Sequence, residues 1–307
     1  MIPTSDDIRA AMARVAPHVI CTPVLRVTLP ELGYPVQVKL ENIQTTGSFK
    51  VRGAFNTLLS GPVPAAGVVA ASGGNHGAAV GHAAHALGHA AQIFVPELAG
   101  PAKIALIHST GAALSVVPGT YAEALAAAQA HEAATGAMQI HAYDAPLTVA
   151  GQGTLAMEWD AQGLDADTVL IAVGGGGLIA GAMACWQGAR KVVAVEPELA
   201  PTLHHALRDG PDSVVQVGGI AANALGAVRI GRICHDLARA QGVQAVLVSD
   251  AAIAQAQRLL WDRLRQWVEP AGATALAALI SGAYVPAEGE RVAVLVCGAN
   301  PAPGPFA

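Results

Sequence analysis

The chain has 307 residues, of which 53% are hydrophobic and 13% are charged, and its formal net charge is −5. This composition supplies enough apolar material for a large core or two adjoining domains and excludes a disordered chain. Arg and Lys are scattered along the chain without forming a basic run, which argues against a basic stripe for nucleic acid and a polybasic patch for a membrane surface, so a small molecule is the expected partner.

Two features of the sequence predict a cytoplasmic protein. The N-terminus begins a helix at Thr4 or Ser5, where Asp6 and Asp7 suit the helix dipole, and it lacks the basic start and apolar stretch of a secretory signal. The cysteines are far apart and form no C-x-x-C pair, so they indicate neither a disulfide framework nor a zinc site, which is typical of the reducing cytosol. They are Cys21, Cys185, Cys234 and Cys297.

Short apolar runs rich in Val and Ile recur along the chain, and each is followed by a turn marked by Gly or Pro and by a stretch of helical length. Runs that do not alternate with polar residues are typical of strands buried on both faces of a parallel sheet. Strands are predicted at 68–71, 92–95, 114–117, 169–173, 192–195, 245–248 and 292–296. With amphipathic helices such as 251–267, which Ser249 and Asp250 cap, they predict an α/β fold of two lobes that share a cleft.

The glycine run at 174–177 is the first motif that points to a ligand. The uncharged stretch 168–189 is long enough to cross a membrane, but four consecutive glycines disfavour one continuous helix, so strand, loop and helix are predicted. The backbone N–H groups of such a loop and the positive end of the following helix suit a phosphate. A tight packing turn is the plain structural alternative.

The glycine run alone leaves the identity of the phosphate ligand open. Gly175-x-Gly177-x-x-Ala180 fits the dinucleotide fingerprint, and Glu196 ends the next strand about twenty residues later, which would suggest NAD. A run of glycines matches many such patterns by accident, and this unit lies in mid-chain. Other residues must decide between the cofactors.

The segment at 39–54, KLENIQTTGSFKVRGA, carries the deciding residues. Lys50 is one of only four lysines and follows a Gly-Ser-Phe turn, although Lys50 and Arg52 could also be ordinary solvated charges. In apolar surroundings the ammonium form of lysine is disfavoured, which aids Schiff-base formation and proton abstraction. The segment resembles, nearly residue for residue, the lysine segment of the fold-type II pyridoxal-phosphate (PLP) enzymes of the serine/threonine dehydratase and serine racemase family.

The resemblance extends over essentially the whole chain. Ser-Gly-Gly-Asn-His-Gly at 72–77 resembles the family's asparagine loop, which implies that Ser72 and backbone amides bind the substrate carboxylate and that the Asn75 amide lies against the phenolic oxygen of the cofactor. The glycines at 174–177 fall where the family binds the PLP phosphate, and further blocks follow in the family's order at 195–198, 217–221, 268–273 and 297–300. The implied cofactor contacts are Phe49, Lys50, Asn75, Gly174, Gly175, Gly176, Gly177, Gly219 and Cys297. The implied substrate contacts are Ser72, Gly73, Gly74, Asn75 and His76.

The resemblance also implies the architecture. The expected fold is the two-lobed one of fold-type II PLP enzymes, similar to the tryptophan synthase β subunit, with mostly parallel twisted sheets flanked by helices and the cofactor in the cleft between domains. A large PLP-binding domain of residues 1–53 and 147–307 and a small α/β domain of residues 54–146 are expected. A homodimer is expected from the family alone.

Two positions bear on the reaction that the resemblance implies. Cys297 stands where the family faces the pyridine nitrogen with Ser or Cys, whose neutral hydrogen bond does not enforce ring protonation and so favours expulsion of a β leaving group. Gly73 stands where serine racemases carry a second Ser, and racemisation needs proton delivery to both faces of the cofactor. The expected activity is β-elimination of L-threonine, L-serine or both to 2-oxobutanoate or pyruvate plus ammonia, with Lys50 removing the Cα proton.

The resemblance gives Glu196 a second role to consider. In related enzymes the glutamate at this strand end can ligate a divalent cation, together with a backbone carbonyl four residues on and a carboxylate six residues on. Those positions are Ala200 and Thr202 here, so a tight Mg²⁺ or Ca²⁺ site lacks one charged ligand. Glu196 and Ala200 are the candidate metal ligands, and a structural or monovalent-cation role for Glu196 is an equal alternative.

Three other functions stay open from the sequence. The first is a sister PLP reaction, either serine racemisation or ammonia loss from 3-hydroxyaspartate or another β-hydroxy-amino acid. The second is an NAD-binding oxidoreductase built on residues 175–180. The third is a small-molecule binding protein that retains the fold without catalysis.

Overall fold

The computed structural model describes residues 1–300. The strands are β1 (Val24–Thr28), β2 (Pro35–Leu40), β3 (Val68–Ala71), β4 (Ala91–Pro96), β5 (Ala113–Val117), β6 (Met138–Gln139), β7 (Thr168–Ala172), β8 (Lys191–Pro197), β9 (Gln244–Val248) and β10 (Val292–Val296). The α-helices are α1 (Ser5–Val15), α2 (Lys50–Leu59), α3 (Asn75–Ala86), α4 (Pro101–His108), α5 (Tyr121–Thr135), α6 (Pro146–Ala161), α7 (Gly177–Trp186), α8 (Thr202–Asp209), α9 (Ala222–Leu225), α10 (Arg232–Gln241), α11 (Asp250–Leu264) and α12 (Pro270–Ile280).

The strands form two sheets. The six-stranded sheet has the order β1-β2-β10-β7-β8-β9, and only the β1–β2 pair is antiparallel. The four-stranded sheet has the order β5-β4-β3-β6 and is parallel throughout. Parallel neighbours need crossover connections, and the helices that supply them bury the central strands. The predicted α/β class with parallel sheets flanked by helices is confirmed.

The two sheets come from different parts of the chain. All strands of the four-stranded sheet lie between residues 68 and 139, and the six-stranded sheet takes its strands from 24–40 and 168–296. Helix α2 packs against both α3 and α6 and therefore lies across the expected domain boundary near residue 53. The exact domain limits, 1–53 with 147–307 and 54–146, stay a prediction.

Apolar side chains drive the packing on both sheets. β7 and β10 are buried along their whole length, and apart from Thr168 they consist of apolar residues, as central strands of a parallel sheet do. The uncharged stretch 168–189 folds as β7, a glycine loop and α7. Within residues 1–300, no helix combines the length and the apolarity that crossing a membrane requires.

Candidate active site

The lysine segment is held by the loop that follows β10. Ser48 forms an antiparallel bridge with Gly298, and the Phe49 N–H donates to the Cys297 carbonyl oxygen at 3.4 Å. Helix α2 then begins at Lys50. This lysine is therefore fixed near the carboxyl end of a central strand, which is where ligand sites form in parallel α/β sheets.

The amine of Lys50 is directed into the protein. Its Nζ donates to the carbonyl oxygen of Ala142 at 2.9 Å and lies 5.1 Å from the centroid of the Phe49 ring. Burial lowers the pKa of Lys50 to about 8, although the nearby Cys297 and Glu269 act in the opposite direction. Much more of the amine is therefore neutral close to neutral pH than in an ordinary lysine, and a nucleophile or base must be neutral.

A buried ion-pair network anchors the start of α2. Arg52 is 0% exposed and donates to both carboxylate oxygens of Glu41, at 2.7 and 2.8 Å, and to Glu158 at 2.9 Å. Lys39 of β2 donates to the same Glu158 carboxylate. The network connects β2, α2 and α6, so the interpretation of Arg52 as an ordinary solvated charge is wrong.

The glycine run at 174–177 forms a loop between β7 and α7 that has no space for side chains. A Cβ atom on Gly175 would lie 2.4 Å from the ring of Tyr143, and one on Gly176 would lie 2.5 Å from Sγ of Cys234. Gly176 also has φ of +87°, which favours glycine. The loop leads into the N-terminus of α7, whose first N–H groups have no partner within the helix. Exposed N–H groups without Cβ atoms around them suit a phosphate.

The lysine amine and the glycine loop lie on the two sides of one short segment. Lys50 Nζ contacts the carbonyl oxygen of Ala142, and the next residue, Tyr143, packs against Gly175 and Gly177. Ala142 follows β6, the glycine loop follows β7 and the anchor of the lysine segment follows β10. The carboxyl ends of strands from both sheets therefore meet at this place.

The asparagine loop links β3 to α3. Ser72 is buried, and its Oγ accepts from the Gly74 N–H at 3.2 Å. His76 donates from Nε2 to the Ile140 carbonyl oxygen at 2.9 Å. Burial, helped by the charge of Lys50, lowers the pKa of His76 to about 3. This histidine is therefore neutral and ties the loop to the chain that follows β6.

Two other candidate cofactor contacts lie in different surroundings. Cys297 is buried at the end of β10, and its thiol donates to the Ala271 carbonyl oxygen at 3.4 Å. Burial raises the thiol pKa, so the group stays neutral. Gly219 has φ of +79°, and a Cβ atom there would lie 2.7 Å from Oδ1 of Asp250, at the start of α11. The structure thus brings Cys297 to the lysine segment, whereas Gly219 lies beside α11 and its cofactor contact stays a prediction.

Glu196 binds the start of a helix. Its Oε1 accepts from the Leu203 N–H at 2.7 Å, and its Oε2 accepts from the His204 N–H at 2.8 Å, both in the first turn of α8. Burial raises the pKa of Glu196 to about 7. A hard cation needs several available anionic oxygens, so Glu196 with the neighbouring Ala200 does not fit one. In the described part of the chain, no three His, Cys, Asp or Glu side chains are placed to hold a metal.

The sequence assigns no role to three polar residues next to Asn75, although two of them lie within the family blocks 268–273 and 297–300. Lys103 of α4 and Glu269, which precedes α12, form a buried ion pair with an Nζ–Oε2 distance of 3.1 Å. Asn75 donates to Glu269, and Asn300 donates to Oδ1 of Asn75 at 2.8 Å. Their residue types are visible in the sequence, but a pairing across 166 positions leaves no local pattern. Tyr143, which covers the glycine loop, is missed for the same reason.

Comparison with known proteins identifies the family. The family model described as "Pyridoxal-phosphate dependent enzyme" matches residues 15–298. A phenylserine dehydratase from Ralstonia pickettii is 36% identical over 315 residues, which cover 100% of this chain and 96% of that protein. An L-threonine ammonia-lyase from Geobacter sulfurreducens is 37% identical over 86% of this chain and 67% of that protein.

Solved structures agree with the sequence matches. Maize serine racemase has a TM-score of 0.92 at 29% identity, covering 98% of this chain and 94% of that chain. The serine racemase from Dictyostelium discoideum has a TM-score of 0.88 at 29% identity, covering 98% and 99%. The chain therefore belongs to the family of PLP-dependent enzymes and has their fold-type II architecture.

Within that family, the relatives place the protein among the ammonia-lyases and racemases. Its cofactor is pyridoxal phosphate, and the predictions of family, fold and cofactor are confirmed. The dinucleotide interpretation of the glycine loop is wrong, because the whole unit belongs to a PLP enzyme and the Glu196 carboxylate is occupied by α8.

Proposed function

We propose that the protein is an ammonia-lyase that acts on small β-hydroxy-amino acids, with L-threonine and L-serine as its expected substrates. The net reaction converts L-threonine to 2-oxobutanoate and ammonia, and L-serine to pyruvate and ammonia. One observation carries the proposal: a lysine amine with a pKa of about 8 lies across the 142–143 segment from a glycine loop at a helix N-terminus.

The residues present fit pyridoxal phosphate. Lys50 would hold its aldehyde carbon. The backbone N–H groups of the loop formed by Gly174, Gly175, Gly176 and Gly177 would hold its phosphate. A Cβ atom at any of the four would collide with the surrounding protein, so the loop must consist of glycine. Phe49, Asn75, Gly219 and Cys297 are the other proposed contacts. When bound, this cofactor supplies the electron sink that allows the Cα–H bond of an amino acid to break.

The chain's own residues would then bind the substrate and move its protons. The asparagine loop, with Ser72, Gly73, Gly74, Asn75 and His76, would bind the substrate carboxylate, because the N–H groups at the start of α3 favour an anion. The neutral amine of Lys50 would remove the Cα proton. Cys297, a buried neutral thiol, would face the cofactor ring without adding charge.

The surroundings of Gly73 support elimination over racemisation. A Cβ atom at this position would lie 2.8 Å from Cβ of Ala99 and 3.3 Å from Pro96, so the end of β4 and the turn after it occupy the space where a side chain would begin. A serine hydroxyl that could deliver a proton from this side has no room there. The racemase alternative therefore has no acid or base at position 73.

A substrate panel tests the proposal. Relatives include a phenylserine dehydratase and, at 33% identity, a beta-hydroxyaspartate dehydratase from Paracoccus denitrificans. The cofactor-loaded protein is therefore assayed with both enantiomers of threonine, serine, 3-phenylserine and 3-hydroxyaspartate. The products measured are ammonia, the 2-oxo acid and the amino acid of inverted configuration. We expect 2-oxo acid from L-threonine and L-serine, and a Lys50→Ala variant without product or visible cofactor band. Product formation by Lys50→Ala, or inverted amino acid as the main product, would contradict the proposal.

Two expectations about the whole protein accompany this function. A homodimer is proposed from the family, and a cytoplasmic location from the four cysteines, all of which are free thiols. Size-exclusion chromatography with light scattering tests the first, and fractionation of cells tests the second.

A further inference from the structure

The side chain of Asn75 bonds to Glu269 and Asn300, which Lys103 links to each other, and we call these three residues the asparagine clamp. Lys103 and Glu269 are 4% and 3% exposed. Lys103 Nζ donates to Glu269 Oε2 at 3.1 Å and to the Asn300 carbonyl oxygen at 2.7 Å. The ammonium group thus joins the other two members of the clamp.

The clamp accounts for the orientation of the Asn75 amide. A primary amide has two N–H donors at one end and an acceptor oxygen at the other. Glu269 Oε1 accepts one N–H of Asn75, and Asn300 Nδ2 donates to Asn75 Oδ1 at 2.8 Å and to the Thr46 carbonyl oxygen at 2.8 Å. A flipped amide would place its oxygen against a carboxylate and its NH₂ against another NH₂. Within residues 1–300, the second N–H of Asn75 has no protein acceptor.

The clamp also leaves no space for a side chain at the neighbouring Gly298. A Cβ atom on Gly298 would lie 2.1 Å from Glu269 Oε1 and 3.4 Å from Nδ2 of Asn75. The Glu269 N–H donates to the Gly298 carbonyl oxygen at 3.3 Å, so backbone and side chain of Glu269 are both fixed. A carboxylate held this closely in a buried site needs a compensating charge, which Lys103 supplies.

The clamp members come from both parts of the fold. Asn75 and Lys103 lie on α3 and α4, among the strands of the four-stranded sheet. Glu269 and Asn300 flank α12 and β10, beside the six-stranded sheet. The amide of Asn75 is therefore oriented by contacts that exist only while both sheets keep their relative placement.

We propose that Lys103, Glu269 and Asn300 are positioning residues that act through Asn75, holding its amide so that one N–H remains available to the cofactor. A test of this role by kcat and KM rests on the proposed function, whereas a test by the absorption spectrum of the bound cofactor does not. Loss of the clamp should release the amide, change the visible absorption of the bound cofactor and lower kcat more than it raises KM. Misplacement of a cofactor contact by about 1 Å can reduce the rate on the order of 100-fold.

A double-mutant cycle tests whether the clamp acts through Asn75. Asn300→Ala and Lys103→Met are each made in the wild-type and Asn75→Ala backgrounds, and all holoproteins are compared by cofactor absorption maximum, cofactor retention, kcat and KM. We expect each clamp variant to shift the absorption maximum and lower kcat by roughly 10-fold to 100-fold in the wild-type background. In the Asn75→Ala background, the same changes should have almost no further effect.

A matched lysine variant separates this role from general damage. Lys191→Met removes a lysine whose Nζ also bonds to a side chain, Tyr284 Oη at 2.8 Å, but which is about half exposed, at the start of β8. It should leave the absorption maximum and kcat unchanged. Equal effects of the clamp variants in both backgrounds, or an unchanged spectrum in Asn300→Ala, would overturn the proposal. Asn300→Ala keeps every charge, so it decides the matter even if Lys103→Met does not fold. If the wild-type protein binds PLP but releases no ammonia, the proposed function is contradicted, and the proposal about the clamp is not.

Discussion

At the scale of single residues, burial determines which groups can do chemistry. His76 lies near the charge of Lys50, and desolvation lowers the pKa of both residues. For His76 the result is a neutral ring that donates to a backbone carbonyl oxygen, whereas for Lys50 it is a reactive amine. The same physical effect therefore gives one residue a structural role and the other a chemical one.

The pKa of Lys50 predicts how the apoprotein takes up its cofactor. Only the neutral amine attacks an aldehyde, so the rate of PLP uptake should rise with pH and level off above about 8, with a tenfold fall per unit well below that value. Stopped-flow absorbance of apoprotein mixed with PLP, between about pH 6.5 and 9.5, measures this rate. A rate that still climbs steeply at the upper end would mean that Lys50 keeps its ordinary pKa of 10.5.

Position 175 shows what a single methyl group should do to the phosphate loop. Gly175→Ala would place Cβ 2.4 Å from the Tyr143 ring, and overpacking of this kind costs about 1–3 kcal/mol. We expect PLP to dissociate roughly 10-fold to 100-fold more readily, measured by equilibrium dialysis with absorbance. Gly61→Ala is the matched control, because a Cβ atom there meets nothing within 4 Å. Equal PLP affinity in the two variants would refute this account of the loop.

At the scale of elements, strands with runs rich in Val and Ile could be predicted from the sequence, and the other strands could not. All seven predicted strands are present, including the edge strands β5 and β9, because such runs favour strands whether or not both faces are buried. Strand β2 could not be predicted, since Gln37 and Lys39 interrupt its apolar pattern. Both side chains are buried, and their polar groups bond to partners far away in the sequence. Strand β6 has two residues, and β1 is an edge strand that is partly exposed, so neither shows a period.

Some residues of the candidate site could likewise be predicted from the sequence, and others could not. Lys50, the asparagine loop and the glycine loop could be predicted because each is a continuous motif. The clamp residues Lys103 and Glu269 could not, since their function depends on a contact between separate helices. Glu196 is a candidate cation ligand in the sequence, and only the position of α8 shows that its oxygens are already used.

Helix α8 gives a prediction about pH and stability. The pKa of Glu196 is about 7 in the folded protein against an ordinary value of 4.5, so folding favours the protonated form. The contribution of Glu196 to the free energy of unfolding is fully present below about pH 4.5. It is lost as the pH rises through about 7, and the total change is about 3 kcal/mol. Glu196→Gln should flatten this part of the curve of unfolding free energy against pH, as measured by urea denaturation.

A neighbouring carboxylate provides the control for this experiment. Glu198 is exposed and lies two residues further along the chain, so Glu198→Gln should keep the wild-type pH profile. An unchanged slope in Glu196→Gln between about pH 5 and 8 would show that burial does not govern the titration of this group.

At the scale of the whole molecule, the proposed ligand contacts lie on loops at the carboxyl ends of the strands, outside the sheets themselves. The glycine loop, the lysine segment and the asparagine loop follow β7, β2 and β3, which belong to two different sheets. Such an arrangement places catalytic groups on loops while the buried strands fix their spacing. Contacts that tie the elements together should then affect both stability and function.

The buried Arg52 network is one such contact, and it allows a test of global stability. Arg52→Met leaves Glu41 and Glu158 buried without their main cation, and loss of one partner from a buried network costs about 3–5 kcal/mol. Arg26→Met is the matched control, because its ion pair with Asp165 is 60% and 46% exposed and should contribute about 0–1 kcal/mol. Urea denaturation of both variants measures the difference. Similar losses would mean that the buried carboxylates find other partners, and that α2 does not depend on this network to present Lys50.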